Sequence, residues 1–245
     1  MRDTIKVLDI PVDRITMEEA TRRISEFVNS SSYHMVFTPN PEIVMLAKEN
    51  AQFKDVMQRA DLIVPDGIGV VLASKILKDE LPERVAGYDL VQNTMKQAAD
   101  KGYRYYFLGS KPGVAEEAAN KMRAKYPGIQ IVGIRDGYFK PEDEPAIIED
   151  INSSNANILL VALGAPKQEL WIDKYREQLP YIRVAIGVGG SFDGMAEIVK
   201  RAPEAFQKMG LEWFYRLLMQ PTRAKRMLVL PKFVIEVVKE KLHKK

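Results

Sequence analysis

Residues Ala60–Ile76 read ADLIVPDGIGVVLASKI. The apolar run Leu62-Ile63-Val64 is strand-sized, stops at Pro65-Asp66-Gly67, and is followed at once by a second apolar run without strand alternation. A strand, a sharp turn and a helix in that order form the unit from which a helix-covered parallel sheet is built. Asp66 then has two readings. Pro-Asp-Gly is a favoured turn in its own right, yet a position just past the carboxyl end of a parallel strand is also where open sheets bind ligands.

The same alternation extends to both sides. Strand-like runs occur at IKVLDI, HMVFT, DLIV, YYFLG, IQIVGI, NILLVAL and RVAIGV, with helical patterns between them. Thr16-Met17-Glu18-Glu19 is a capping box that opens a helix reaching about Asn29. Lys111-Pro112-Gly113 precedes another, which ends near Tyr126-Pro127-Gly128. This pattern predicts an α/β domain over residues 1–195, a Rossmann-like, mostly parallel sheet flanked by helices. No internal repeat or low-complexity linker interrupts it.

Residues 196–245 read differently and predict a basic helical appendage. Leu230, Phe233, Val234, Val237 and Val238 follow the spacing of one helix face, and Lys232, Glu236, Lys239 and Glu240 fall outside it. Ahead of that amphipathic helix, from about Leu230 to Leu242, GLEWFYRLLMQPTRAKRM sets Trp213, Phe214 and Tyr215 beside several arginines, with Pro221 breaking or starting a helix.

Charge follows the same division. The chain of 245 residues has a net charge of +3, but residues 196–245 carry 12 Lys and Arg against 5 Asp and Glu, and the first 195 carry 24 against 28. A cationic tail on a slightly acidic body implies a local anionic partner, phosphates or an anionic membrane surface, rather than nucleic acid. The tail's apolar face would pack on the body, bury an interface in a homo-oligomer, or meet the membrane. No stretch reaches the roughly 18 apolar residues of a spanning helix, and the N-terminus lacks a signal-peptide pattern. With no cysteine, disulfides and thiolate metal sites are ruled out, which fits a reducing cytoplasm.

Five strand ends carry polar or glycine-rich residues: Thr38-Pro39-Asn40, Asp66-Gly67, Gly109-Ser110, Gly164 to Glu169 (GAPKQE), and Gly187 to Asp193 (GVGGSFD). In a parallel sheet they would converge on one edge. Each alone is explicable as a cap or a tight turn; together they exceed what turn-making requires. There is no GxGxxG after the first strand, no P-loop and no nucleophile elbow. Of the two histidines, His34 lies in an apolar strand and reads as a core residue, and His243 is terminal. No two aspartates are one residue apart, so the Asp-x-Asp pair that holds a divalent metal in many nucleotide-sugar enzymes is absent. No metal site is therefore expected. A diphosphate ligand would have to be neutralised by side chains and backbone donors, for which Arg84, Lys167, Arg216, Arg223 and Arg226 are candidates. The arginine cluster reads equally as a solvated basic face.

With those residues assembled, the sequence resembles the WecG/TagA/CpsF family of bacterial glycosyltransferases over nearly its whole length, and its TagA-type N-acetylmannosaminyltransferases most closely. TPNPE, VPDGIGVV, ERVAGYDL, YFLGSKPG, DGYF, GAPKQE, GVGGSFD and RAPEAFQKMGLEWFYRLLMQPTR carry the resemblance, in one order. It implies an inverting, metal-independent enzyme without cofactor, peripheral on the cytoplasmic face of the membrane. The donor would be UDP-N-acetylmannosamine and the acceptor undecaprenyl-diphosphate-linked N-acetylglucosamine, as in the linkage unit of wall teichoic acid. In that reading Asp66 is the general base, Thr38, Asn40 and Gln168 orient the sugars, and Arg84 offsets charge on the departing UDP. Tyr138 would stack on uracil and Asp193 would accept a ribose hydroxyl, with Gly109, Ser110 and Gly189 as further substrate-binding positions. The alternatives are a related donor, N-acetylmannosaminuronic acid or another hexose, and a nucleotide-binding module that catalyses nothing.

Overall fold

The computed structural model describes residues 2–199, 201–219 and 227–243. Its strands are β1 (Thr4–Val7), β2 (Ile10–Asp13), β3 (His34–Phe37), β4 (Leu62–Ile63), β5 (Arg104–Gly109), β6 (Gln130–Arg135), β7 (Ile158–Ala162) and β8 (Val184–Gly187). Six of them form a sheet in the order β4-β3-β8-β7-β5-β6, with every pairing parallel. Between and after them lie α1 (Met17–Val28), α2 (Pro41–Glu49), α3 (Ala51–Arg59), α4 (Ile68–Leu77), α5 (Gly87–Lys96), α6 (Ala98–Lys101), α7 (Val114–Lys125), α8 (Glu144–Ser153), α9 (Lys167–Tyr175), α10 (Ser191–Met195), α11 (Glu204–Lys208) and α12 (Glu212–Met219). The expected Rossmann-like architecture is the one observed.

Strand runs such as ILLVA are apolar at every position because both faces of the sheet are covered. Successive side chains leave opposite faces, so the runs split between two cores. Phe37, Ile63, Leu159, Val161 and Ala185 join residues of α2, α3, α8 and α9 on one side. Val36, Leu62, Leu160, Val184 and Ile186 join α1, α5, α7 and α10 on the other. The Thr16 capping box is present as expected, with the Thr16 hydroxyl accepting from the Glu19 amide. His34 is half-buried, 2.9 Å from the Ser30 hydroxyl through Nε2 and stacked on Phe27.

Two local expectations are corrected. IKVLDI is not one strand of the main sheet: β1 and β2 form a separate antiparallel hairpin. Leu8 and Asp9 take positive φ values of 50° and 67°, the geometry of a two-residue hairpin turn, whose twist matches that of its strands. The tail helix, Val229–His243, buries a narrower stripe than its periodicity suggests. Phe233 and Val237 are buried, whereas Val234 and Val238 are 46% and 40% exposed. It lies on α2 and α4, and Pro231 falls in its first turn, where a missing amide donor costs nothing. Lys232 pairs with Glu49 at 2.6 Å, Lys48 with Glu236, and Glu240 accepts from the Leu8 amide at 2.9 Å.

Candidate active site

Because the six strands run in parallel, their carboxyl ends share one edge, and the loops that leave it touch. Thr38, after β3, donates to the Gly187 carbonyl at the end of β8 over 3.4 Å. Asn40 caps α2 by accepting from the Ile43 amide at 3.1 Å. A Cβ added at Gly67 would lie 3.5 Å from that of Asn40, which brings the β3 and β4 loops together. Gly67 has φ +93°, a conformation open to glycine at little cost, and it ends the turn from which α4 starts. The Asp66 amide donates to the Val64 carbonyl at 2.9 Å, and the Val85 amide donates to the Pro65 carbonyl at 3.0 Å. Half-buried Asp66 is thus held through its own amide and through the carbonyl of Pro65 before it, and the second bond brings in Val85, the residue after Arg84.

The β7 loop completes this group. Gln168 is 3% exposed; its Oε1 accepts from the Gly189 amide at 3.0 Å and its Nε2 donates to Glu169 Oε1 at 2.8 Å. Its amide is thus committed within the protein and shapes the glycine loop after β8. A side chain at Gly187 would collide with Gln168, since an added Cβ would stand 2.8 Å from Nε2.

Glu169 was not foreseen as a site residue. It is 1% exposed, its Oε2 has no hydrogen-bond partner among the described residues, and burial pushes its carboxyl up to about 7 despite the bond from Gln168. A glutamate in the first turn of a helix ordinarily faces solvent. The available signal was its register, three residues before Ile172, on the stripe that α9 buries. In its protonated form this acid adds no negative charge beside an anionic ligand. Since the folded value lies above the ordinary 4.5, the stability this group contributes is complete below that pH and is lost as pH rises through the folded value. Glu169→Gln is neutral throughout. Unfolding free energies should therefore diverge in favour of the variant between about pH 4.5 and 7 by about 3 kcal/mol, then run parallel. A pH-independent difference in urea unfolding would show an ordinary, ionised glutamate.

A second cluster adjoins the first through the same β7 loop. The Ser110 amide donates to the Ala162 carbonyl at 2.8 Å, and the Gly137 amide donates to the Ser110 carbonyl at 2.8 Å. Gly109 and Ser110 therefore lie beside Tyr138, which is 71% exposed and open to an aromatic ligand. The Lys167 ammonium lies 5.0 Å over the Phe139 ring. Asp193 stands in α10, near Gly190. Arg84 meets Glu212 of α12 at 2.9 Å, a partner no sequence pattern suggested. Arg223 and Arg226 lie outside the described residues, as does the side chain of Arg216.

Two surface cavities lie elsewhere. One of about 650 Å³ is lined by Glu149 and Asn152 of α8 and by Gln178 and Tyr181 ahead of β8, and one of about 270 Å³ lies between the β1–β2 turn and the last helix. Neither is lined by the strand-end residues. Among the described residues no group of three His, Asp or Glu is arranged to hold a metal ion, and no helix is long and apolar enough to cross a membrane.

Known proteins are similar to this sequence. Over residues 5–245 it matches the family described as Glycosyl transferase WecG/TagA/CpsF family. It is 42% identical over 213 residues to a protein of Bacillus spizizenii strain W23, covering 87% of this chain and 82% of that one. It is 40% identical over 211 residues to one of Bacillus subtilis strain 168, covering 86% and 81%. Both are named N-acetylglucosaminyldiphosphoundecaprenol N-acetyl-beta-D-mannosaminyltransferase. A parallel sheet whose polar strand ends meet on one edge, in a sequence matched along nearly all its length, leaves one assignment: the chain belongs to the WecG/TagA/CpsF family and is a glycosyltransferase.

Proposed function

We propose that the enzyme transfers N-acetylmannosamine from a UDP donor to undecaprenyl-diphosphate-linked N-acetylglucosamine, inverting the anomeric centre without a metal ion, in teichoic acid synthesis. The observation that carries this is the convergence of Asp66, Thr38, Asn40 and Arg84 on one strand edge, in a chain about 40% identical to two proteins named for that acceptor and sugar. In a single displacement a base takes the acceptor hydroxyl proton as the oxygen attacks the anomeric carbon, and the donor diphosphate leaves on the opposite face. Asp66 is the base, held at its place by the flanking backbone bonds. Thr38 and Asn40 orient the sugars, Gln168 acts by holding the Gly189 loop against the donor, and Arg84 offsets charge on the leaving UDP. Tyr138 and Asp193 take the uridine. The assay is UDP release from UDP-N-acetylmannosamine and a short-chain lipid-diphosphate N-acetylglucosamine. Turnover is expected, and it should persist in EDTA; loss on chelation with recovery in Mg²⁺ or Mn²⁺ would contradict a purely side-chain mechanism. Turnover only with a uronic acid or another hexose donor would move the assignment within the family.

A lipid-linked acceptor keeps its reactive sugar near the bilayer, so we also place residues 196–245 at the inner membrane surface, as a peripheral contact that completes the site. Trp213 and Phe214 are each 39% exposed on α12, with Leu218 and Met219 more so, and basic residues near an anionic surface contribute about 1 kcal/mol each. Co-sedimentation with phosphatidylglycerol vesicles is expected at low salt and should fall as salt rises. Trp213→Ala with Phe214→Ala should weaken it several-fold and leave UDP binding unchanged. Equal sedimentation of the double variant would remove α12 from the membrane contact.

A further inference from the structure

Two arginines from distant parts of the chain close on one carboxylate beside the Asp66 turn. Arg84 Nη2 stands 2.9 Å from Glu212 Oε2, and Arg201 Nη2 stands 3.6 Å from Glu212 Oε1. The Arg84 and Glu212 side chains are only 16% and 20% exposed. Glu212 Oε1 is buried and takes no hydrogen bond from the described residues, so the carboxylate uses its setting incompletely. Arg201 is oriented in turn by Asp89, at 2.5 Å, and by the Tyr88 ring, 4.9 Å from its guanidinium carbon.

The location is as telling as the chemistry. The bond from the Val85 amide to Pro65 ties Arg84 to the turn that carries Asp66. Gly210, two residues before Glu212, packs on Ile68 just after that turn, where an added Cβ would lie 2.9 Å from Ile68. Tyr88 lies against Gly194 of α10, which follows the glycine loop of β8. The carboxylate therefore sits between the β4 and β8 loops, close to where a leaving diphosphate stands if Asp66 is the base. Guanidinium forks bind carboxylate and phosphate by the same geometry, and phosphate carries more charge. A partly buried ion pair with an unsatisfied oxygen adds little to stability, because desolvation offsets its attraction. An exchangeable carboxylate is what such a site can hold.

We propose that Arg84 and Arg201 form a two-armed clamp for the diphosphate of the nucleotide donor, and that Glu212 occupies this clamp in the free enzyme as a tethered competitor. The inference rests on the UDP-donor reading above and adds Arg201 and Glu212 to it. Occupation by Glu212 lowers the apparent affinity for nucleotide by the fraction of enzyme in which the clamp is filled. After transfer, the product UDP still carries the anion that binds most tightly, and a carboxylate held nearby at high effective concentration returns as it leaves. Glu212 thus trades donor affinity for product release.

Calorimetry with UDP, inorganic pyrophosphate and uridine on the full chain tests this. Glu212→Gln keeps size and hydrogen bonding but removes the competing charge, and it should bind UDP and pyrophosphate about 3- to 10-fold more tightly than wild type. Arg201→Gln should bind both about tenfold more weakly. Uridine, lacking the diphosphate, should bind all three proteins alike, which also reports that each is folded. In turnover, Glu212→Gln should show a lower KM for the donor, stronger inhibition by UDP and a lower kcat. Equal UDP and pyrophosphate affinities in the three proteins, or weaker binding by Glu212→Gln, would overturn the clamp even if the UDP-donor reading holds. Tighter pyrophosphate binding by Glu212→Gln without any binding of UDP would keep the clamp and overturn the donor assignment.

Discussion

Replacing Asp66 with Asn is expected to slow sugar transfer by about 10²- to 10⁴-fold, with UDP binding changed by no more than about twofold. The amide has the size of the carboxylate and can keep its hydrogen bonds, but it cannot take a proton from the acceptor hydroxyl. The turn should survive the exchange, since Asn is as common as Asp in such positions and the backbone bonds from Asp66 to Val64 and from Val85 to Pro65 involve no side chain. Single-turnover rates with saturating donor, measured beside UDP affinity, separate chemistry from binding. Near-normal turnover would return Asp66 to the role of a turn residue. Loss of rate together with loss of UDP binding would show that the substitution disturbed the loops and did not isolate the base.

Phe233→Ala should destabilise the protein by about 3–5 kcal/mol. Phe233 is 2% exposed in the core shared by α2, α3 and β3, and Val237 beside it is fully buried. Removing the ring leaves a cavity that helices held by their own ion pairs cannot close. For a chain of this length the melting temperature should fall by roughly 6–15 °C, measurable by thermal or urea unfolding. A change below about 0.5 kcal/mol, the level of ordinary surface substitutions, would mean that the helix only rests on the body. This prediction also bears on truncation. Removing residues 196–245 strips Phe233 and Val237 from the core, so an inactive truncated protein would report lost packing as well as lost membrane contact. The exposed-face substitutions at Trp213 and Phe214 avoid that ambiguity.

Local pattern carried much of the candidate site. Thr38, Asn40, Asp66, Gly109, Gly164 and Gly187 were legible because each follows a short apolar run, and a parallel sheet obliges such positions to share an edge. The hairpin β1–β2 was misread as one strand because Leu8 is apolar and only its backbone angle marks the turn. The final helix was legible as a helix, but periodicity assigns an apolar face without saying how much of it a neighbour covers. Val234 and Val238 are left partly exposed because the surface offered by α2 and α4 is narrower than the face.

What the sequence determined by itself, then, is whatever depends on near neighbours: strand and helix periods, caps, turn chemistry, and the direction of charge along the chain. These arise from interactions across a few residues, and they hold wherever the segment is placed. Tertiary structure alone decided the rest. Glu169 is a buried acid because α9 turns it under the sheet edge beside Gln168, and burial away from water, not composition, raises its pKa. Arg84, Arg201 and Glu212 meet although 117 and 11 residues separate Arg201 from the other two. Desolvation and ion pairing across such separations depend on positions that no local spacing encodes, and they become readable only when the chain has closed on itself.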